Sequence, residues 1–481
     1  MAREEPPDPG LPIKLEPCGN SEFIPPPATP FVKDVIKRAN AQVDENARRL
    51  GMSRRQFLRT SMASATVLSV LAACSSERGD RGGEFSLDPD PTATPRPTTT
   101  PSPTATPQPE PTATMEPEAA EATVGPLEEE LIFDVQAHLL ELDGTGVGAP
   151  GFPQSACGES DARDCYDIEH FLEAYFVDSD THMLMLSAIP FGNGALSPEV
   201  MFRTIEAAER IGCRDRVFMQ GESFPTRLGL DAMTEVATTY PVSAFKTYTH
   251  NGGPPWRLDD DTGDAYLDHV AALGVPIVAV HKGISGNDIW SSPRDVGPAA
   301  VNHPDVNLLV YHSGYENAFV EGPYTEETAN VGVNRLITSV RDAGLGPGDN
   351  VYAELGSTWR NLMTRPDEAA HLLGKLLVEF GEDNILWGTD SIWYGSPQDQ
   401  IEMFRVFQIS EEFQERFGYP ELTTDIKRKI LGHNAARLFG LDPITDACVV
   451  DRDELLQVRA ERTTTFHTHP DAAVAAFHAQ A

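Results

Sequence analysis

The sequence predicts an α/β protein: a (β/α)8 (TIM) barrel preceded by a signal-like segment and a disordered Pro/Thr-rich linker. Two observations carry the barrel. Between Leu131 and Leu441, eight short β-rich apolar runs alternate with longer amphipathic stretches. Successive runs start about 30 residues apart or more, the length a strand–helix–strand unit takes. A third observation disfavours an open doubly wound sheet, since no Gly-rich phosphate loop follows the first run.

In chain order, residues 1–51 read as an N-terminal extension, with Pro25 to Pro27 in succession and a helix expected over 31–50. In 52–74 the charged stretch Ser53-Arg54-Arg55-Gln56-Phe57-Leu58-Arg59 precedes small and apolar residues from Ser61 to Ala73. That order and length suit a signal peptide. The arginine pair followed by Phe-Leu resembles the twin-arginine export signal. The run closes on Leu71-Ala72-Ala73-Cys74, which resembles a lipobox, so Cys74 is the expected lipid anchor. The expected location is the cell envelope, tethered outside the cytoplasm. A buried helix with an incidental arginine pair is the alternative, and a start at Met52 instead of Met1 stays open.

Residues 75–130 read as the linker: Asp88 to Pro126 is dense in Pro and Thr, in repeats such as Thr-Ala-Thr-Pro. Proline at that density blocks helix and central strand and favours an extended spacer. Strands are expected at 132–137, 183–188, 217–220, 243–248, 277–280, 307–311, 351–355 and 385–388. Helical periodicity fills the gaps, as in 198–211 and 368–380. Eight such units close a barrel over 131–441. The tail, 442–481, holds a helix candidate at 451–462 and then His467, His469 and His478 in an unstructured end.

Charge narrows the partners. Lys plus Arg number 37 against 73 Asp plus Glu, and the net charge of −36 repels phosphate backbones and excludes nucleic acid. No apolar run reaches the ~20 residues of a membrane span. Six cysteines in 481 residues are too few for a disulfide scaffold. A small-molecule substrate is what remains.

Barrel enzymes draw active-site groups from the C-terminal ends of their strands. Here those ends are polar. The first carries Asp134-Val135-Gln136-Ala137-His138, the fourth Lys246 with His250 beyond it, and the fifth His281-Lys282-Gly283. The sixth carries His312-Ser313-Gly314, the seventh Glu354, and the eighth Gly388-Thr389-Asp390-Ser391.

With the closing segment Ile430-Leu431-Gly432-His433-Asn434-Ala435-Ala436-Arg437-Leu438-Phe439-Gly440-Leu441, this constellation resembles the amidohydrolase superfamily. It is most similar to the amidohydrolase-related branch that includes aminocarboxymuconate semialdehyde decarboxylase-like enzymes. The resemblance implies a divalent metal, commonly zinc, with His138, His281 and Asp390 as ligands. It further implies His312 as the histidine that assists the metal-bound water or binds a second metal, and Asp390 as proton acceptor. Zinc takes imidazole and carboxylate readily, and it lowers the pKa of bound water to about 7.

The sequence departs from that pattern at Gln136, which stands where the family has the first histidine of a His-x-His pair. Three readings follow: Gln136 is an outer donor to a metal held by the other residues; Lys246 is carboxylated and bridges two metals; or the site is metal-free acid–base machinery. Each residue also has a plainer reading. A lone histidine is commonly a satisfied core residue, and Asp390 could cap the following helix. Lys246 could be a structural or substrate-facing ammonium, and Glu354 could line the pocket or pair with a neighbour.

Trp256, Trp290, Trp359 and Trp393 fall in loops after strands, where they could line an aromatic pocket or pack the loops. Cys157 and Cys165 could close a small loop, whereas Cys213 and Cys448 read as ordinary buried thiols. The expected activity is hydrolysis by metal-bound hydroxide attacking a carbonyl. The alternatives are metal-dependent non-oxidative decarboxylation on the same scaffold, or an inactive surface binding barrel.

Overall fold

The computed structural model describes residues 10–20, 25, 27–86, 129–141, 165–190, 196–284 and 288–461. Most of the expected linker (87–128), Cys157 and the three tail histidines lie outside the described residues. The strands are β1 (Gly83–Phe85), β2 (Phe133–Ala137), β3 (Met183–Leu186), β4 (Val217–Glu222) and β5 (Val242–Tyr248). They continue with β6 (Ile277–His281), β7 (Asn307–Tyr311), β8 (Val351–Glu354), β9 (Ile385–Leu386) and β10 (Phe407–Ile409).

β2 to β9 form one parallel sheet in sequence order. Its two edges meet through Val135 N donating to the Trp387 carbonyl at 3.0 Å and His138 N to the Ser391 carbonyl at 2.7 Å. The sheet is therefore a barrel, as the spacing of apolar runs predicts. Side chains two apart share a strand face. Phe133 and Val135, Met183 and Met185, and Ile277 and Ala279 accordingly share one buried cluster, while Leu184, Val278 and Val280 pack in clusters outside it.

The residues ahead of the barrel also fold onto it. Helices Pro30–Arg49, Arg54–Leu58 and Ser61–Arg78 precede β1. Val35, Ala39, Val67, Leu71 and Cys74 share a core cluster with Leu372, Leu376 and Phe407. Ser53 caps the second helix in a reciprocal bond with Gln56, and Arg54 reaches Asp44 Oδ1 at 2.7 Å. The stretch read as an export signal is thus two packed helices here. Among the described residues no helix is long and apolar enough to cross a membrane.

Residues 75–86 depart from the expected linker. The helix runs on to Arg78, and β1 pairs antiparallel with β10. Three residues carry no periodicity for a sequence reading to detect, yet a β-carbon on Gly83 would collide with the Phe407 ring. Cys213 and Cys448 are likewise not thiols: they form a disulfide across 235 residues. Tertiary folding brings them together, because Asp451 N donates to the Ile211 carbonyl at 2.8 Å and helix Arg452–Glu461 returns to the barrel's outer helices. Cys165 is also disulfide-bonded.

Candidate functional site

At the C-terminal mouth of the barrel His138 follows β2, and Asp390 follows β9 on the other side of the seam. His138 Nδ1 lies 2.7 Å from the Ser187 carbonyl, which can only accept, so Nδ1 carries a proton. Nε2 faces Asp390 Oδ1 at 3.1 Å. The His138 ring stacks on Trp393, with centroids 5.3 Å apart.

Asp390 collects three further donors. Gln136 Nε2 donates to Oδ1 at 3.0 Å, while Ser357 Oγ at 2.5 Å and Asn20 Nδ2 at 2.8 Å donate to Oδ2. Burial pushes this carboxyl up, but the hydrogen bond and charge of His138, with the Ser357 hydroxyl, outweigh it, and the pKa ends below the usual range.

Next to this pair lies a histidine cluster. His312 Nδ1 donates to the Gly356 carbonyl at 2.7 Å, leaving Nε2 to accept from His281 Nδ1 at 3.2 Å. His250 sits 5.1 Å from the His281 ring. Burial lowers His312 and His250 to about 4 and holds His281 well below its ordinary value, so all three are neutral at pH 7.

Glu354 supports the cluster from beneath, accepting His312 N at 3.0 Å and Gly356 N at 2.5 Å. Burial pushes Glu354 up to about 8 against the pull of those two N–H groups. Its packing explains a sequence choice, since a β-carbon on Gly388 would collide with Glu354 Oε1. Asp134, buried under Tyr175 and Thr389, is likewise raised by burial, to about 7.

Lys246 is buried with Nζ 3.6 Å from the Tyr311 ring centroid and 4.6 Å from that of Tyr248. It is a cation set against aromatic faces. The backbone is strained here as well. His312, Ser313, Ser357 and Asp390 all have φ between 51° and 61°, in the left-handed region that side chains avoid. Such strain concentrates at functional sites.

The residues singled out from sequence lie close together at the barrel mouth, but in a different arrangement from the expected one. His138 meets Asp390, whereas His281 meets His312, and among the described residues no group of three or more His, Cys, Asp or Glu side chains gathers as a cation site. Gln136 is a donor to Asp390, not a stand-in ligand. Asp390 caps no helix; it is held by side chains. Trp359 is not at the site: it packs on Phe404 and Phe407, because it lies in helix Thr358–Leu362 and not in a loop. Sequence reasoning missed Ser357, which the strand-end rule could have found three residues past β8, and Asn20, for which no local signal exists.

The donor chemistry does suit a divalent cation at one point. With Nδ1–H committed to Ser187, the lone pair of His138 Nε2 faces an oxygen lone pair of Asp390, and a proton or a cation must lie between them. A histidine oriented by a carbonyl on its far nitrogen is the usual arrangement of a metal-binding imidazole.

Several solved structures resemble the chain in shape. One is 5-carboxyvanillate decarboxylase of Novosphingobium aromaticivorans with manganese and a nitrobenzoic acid, at 12% identity and TM-score 0.40, covering 66% of this chain and 97% of that one. A 2,6-dihydroxybenzoate decarboxylase from Rhizobium matches at 17% identity and TM-score 0.36, over 65% of this chain and 98% of its own. Amidohydrolase 2 from Bifidobacterium longum subsp. infantis matches at 13% identity and TM-score 0.38, over 65% of this chain and 100% of its own. No curated protein matches the sequence. Residues 207–441, the part of the chain that carries His281, His312 and Asp390, match the family model for amidohydrolases.

Proposed function

We propose that the chain is an exported enzyme of the amidohydrolase superfamily that hydrolyses a small carbonyl substrate at the barrel mouth. The observation that carries this reading is the contact between His138 Nε2 and Asp390 Oδ1, 3.1 Å, beside a cluster of neutral histidines. Asp390 is held ionised and so can accept the proton of an attacking water. The N–H groups of neutral His312 and His281 are committed to the Gly356 carbonyl and to His312, which fixes both rings at the mouth beside the pair. His138, Asp390 and His281 would hold a divalent metal, zinc in this reading, which when bound polarises the substrate carbonyl.

A second reading, non-oxidative decarboxylation, is favoured by Lys246. A buried ammonium at the barrel mouth offers a partner for a substrate carboxylate. Export is supported by the Arg54-Arg55 pair with its following apolar run, and by the Cys213–Cys448 disulfide, since such bonds persist in oxidising compartments. Cys74 is the proposed lipid anchor. Turnover of a panel of esters, lactones, amides and aryl acids by the purified protein, with and without chelator, tests the activity. Hydrolysis of an ester, lactone or amide supports the first reading and release of CO2 the second; no turnover anywhere on the panel, by the intact chain or by the variant Asn20→Asp, argues for an inactive barrel.

A further inference from the structure

Residues 10–20 lie ahead of the arginine pair, yet they end inside the barrel mouth. Asn20 is 7% exposed, and its Nδ2 donates to Asp390 Oδ2 at 2.8 Å. The segment is pinned along its length. Lys14 Nζ donates to the Tyr394 carbonyl at 2.7 Å, Lys14 N to Asp399 Oδ2 at 3.1 Å, and Arg360 to the Glu16 carbonyl at 3.0 Å. Ile13 and Leu15 are buried in the largest core cluster.

This contact has a chemical effect. A carboxylate offers about four lone-pair positions. Asp390 has all of them filled: His138 and Gln136 on Oδ1, Ser357 and Asn20 on Oδ2. Of the four partners, three come from the barrel and its strand-end loops; Asn20 alone arrives from the N-terminal segment. While it stays, Asp390 has no position left for a water, a cation or a substrate group. Solvent is shut out too, as His138, His281, His312 and Asp390 are each 1% exposed or less.

We propose that residues 10–20 are a built-in plug: the full-length chain is held closed by Asn20 on Asp390, and the site opens when this segment is displaced or removed. The proposal concerns regulation of the site described above and rests on that site being functional. It also gives the residues before the export-like sequence a task, because any processing that removes the chain ahead of Cys74 removes the plug with it.

The test measures access to the site in the full chain, using diethyl pyrocarbonate labelling of histidines at pH 7 read by peptide mass spectrometry. Asn20→Asp is isosteric and sets a carboxylate against Asp390, so like charges push the segment out. Labelling of His281 and His312 should rise about tenfold or more relative to wild type, reflecting a shifted closed–open equilibrium. His371, buried in helix Pro366–Phe380 beside Phe413, should stay slow. Ile13→Asp with Leu15→Asp, which dislodges the segment without touching Asp390, should give the same pattern.

Unchanged labelling of His281 and His312 in both variants overturns the plug. So does a parallel rise at His371, which would mean global loosening. Labelling needs no turnover, so a site that opens yet processes nothing on the substrate panel removes the enzymatic reading and leaves the plug standing.

Discussion

His138 Nε2 and Asp390 Oδ1 stand 3.1 Å apart across the seam where the first barrel strand meets the last. The same seam is closed by backbone bonds from His138 N to Ser391 and from Asp390 N to the Gln136 carbonyl. The bonds that close the barrel also bring this pair together.

Asp390→Asn should abolish most turnover. The amide cannot take a proton from water, and one of its two positions becomes a donor facing Ser357 or Gln136. A loss of about 10²- to 10⁴-fold in kcat is expected for removing a general base. The check is steady-state kinetics on whichever substrate the panel identifies, with thermal melting to confirm folding. Wild-type rates in this variant would exclude Asp390 as the base.

Stability should fall between pH 6.5 and 8. Glu354 and Asp134 have folded pKa values raised to about 8 and about 7, so they stabilise the fold when protonated and lose that contribution as pH rises. The buried histidines have depressed values, about 4 for His250 and His312. Their contribution is full above about 6.5 and is lost only toward acid. Above 6.5 the carboxyls therefore act alone. Melting temperatures across this range should decline, and Glu354→Gln should flatten the decline. A flat wild-type profile would show that both carboxyls are already ionised at pH 6.5.

Cys448→Ser should lower stability by about 2 to 5 kcal/mol, the usual cost of losing a native disulfide. The tail helix Arg452–Glu461, held beside the barrel by this bond and by Arg210–Glu454 at 2.6 Å, should become protease-sensitive. Denaturant midpoints with and without reductant measure it. Reductant should bring wild type to the midpoint of the reduced variant, because it also opens the disulfide of Cys165 in both proteins.

Arg54→Lys with Arg55→Lys should trap the protein in the cytoplasm, because twin-arginine transport recognises the guanidinium pair. Lysine keeps a positive charge near Asp44, so the helix contact at 2.7 Å is largely preserved and folding should not change. Cell fractionation decides it. In the same assay Cys74→Ser should release exported protein from the membrane fraction.

Much of the barrel was legible in the sequence because strand length and periodicity are local properties. The run at 307–311 was read with the bounds that β7 has, and the others fell within two residues at each end. His138, His281, His312 and Asp390 were legible for a related reason: the strand-end rule needs only the strand. Pairing among them was not. Which histidine faces Asp390 depends on the tautomers that the Ser187 and Gly356 carbonyls impose, and those carbonyls lie 49 and 44 residues from their partners. Asn20 was beyond any local rule, since 370 residues separate it from the carboxylate it touches.

The Cys213–Cys448 bond also sets how the molecule bears load. It ties off a loop of chain that contains β4 through β10. Tension applied between a tether at Cys74 and the C-terminal end would cross the sulfurs and bypass every strand in that loop. The pull falls on β1, β2 and β3, which lie outside the loop, on the pairing of β1 with β10, and on the lateral bonds that join β2 to its neighbour, Val135 to Trp387 and His138 to Ser391. A tethered molecule under strain would therefore open where β1 meets β10 and along the line between His138 and Asp390, while little tension runs along the enclosed strands.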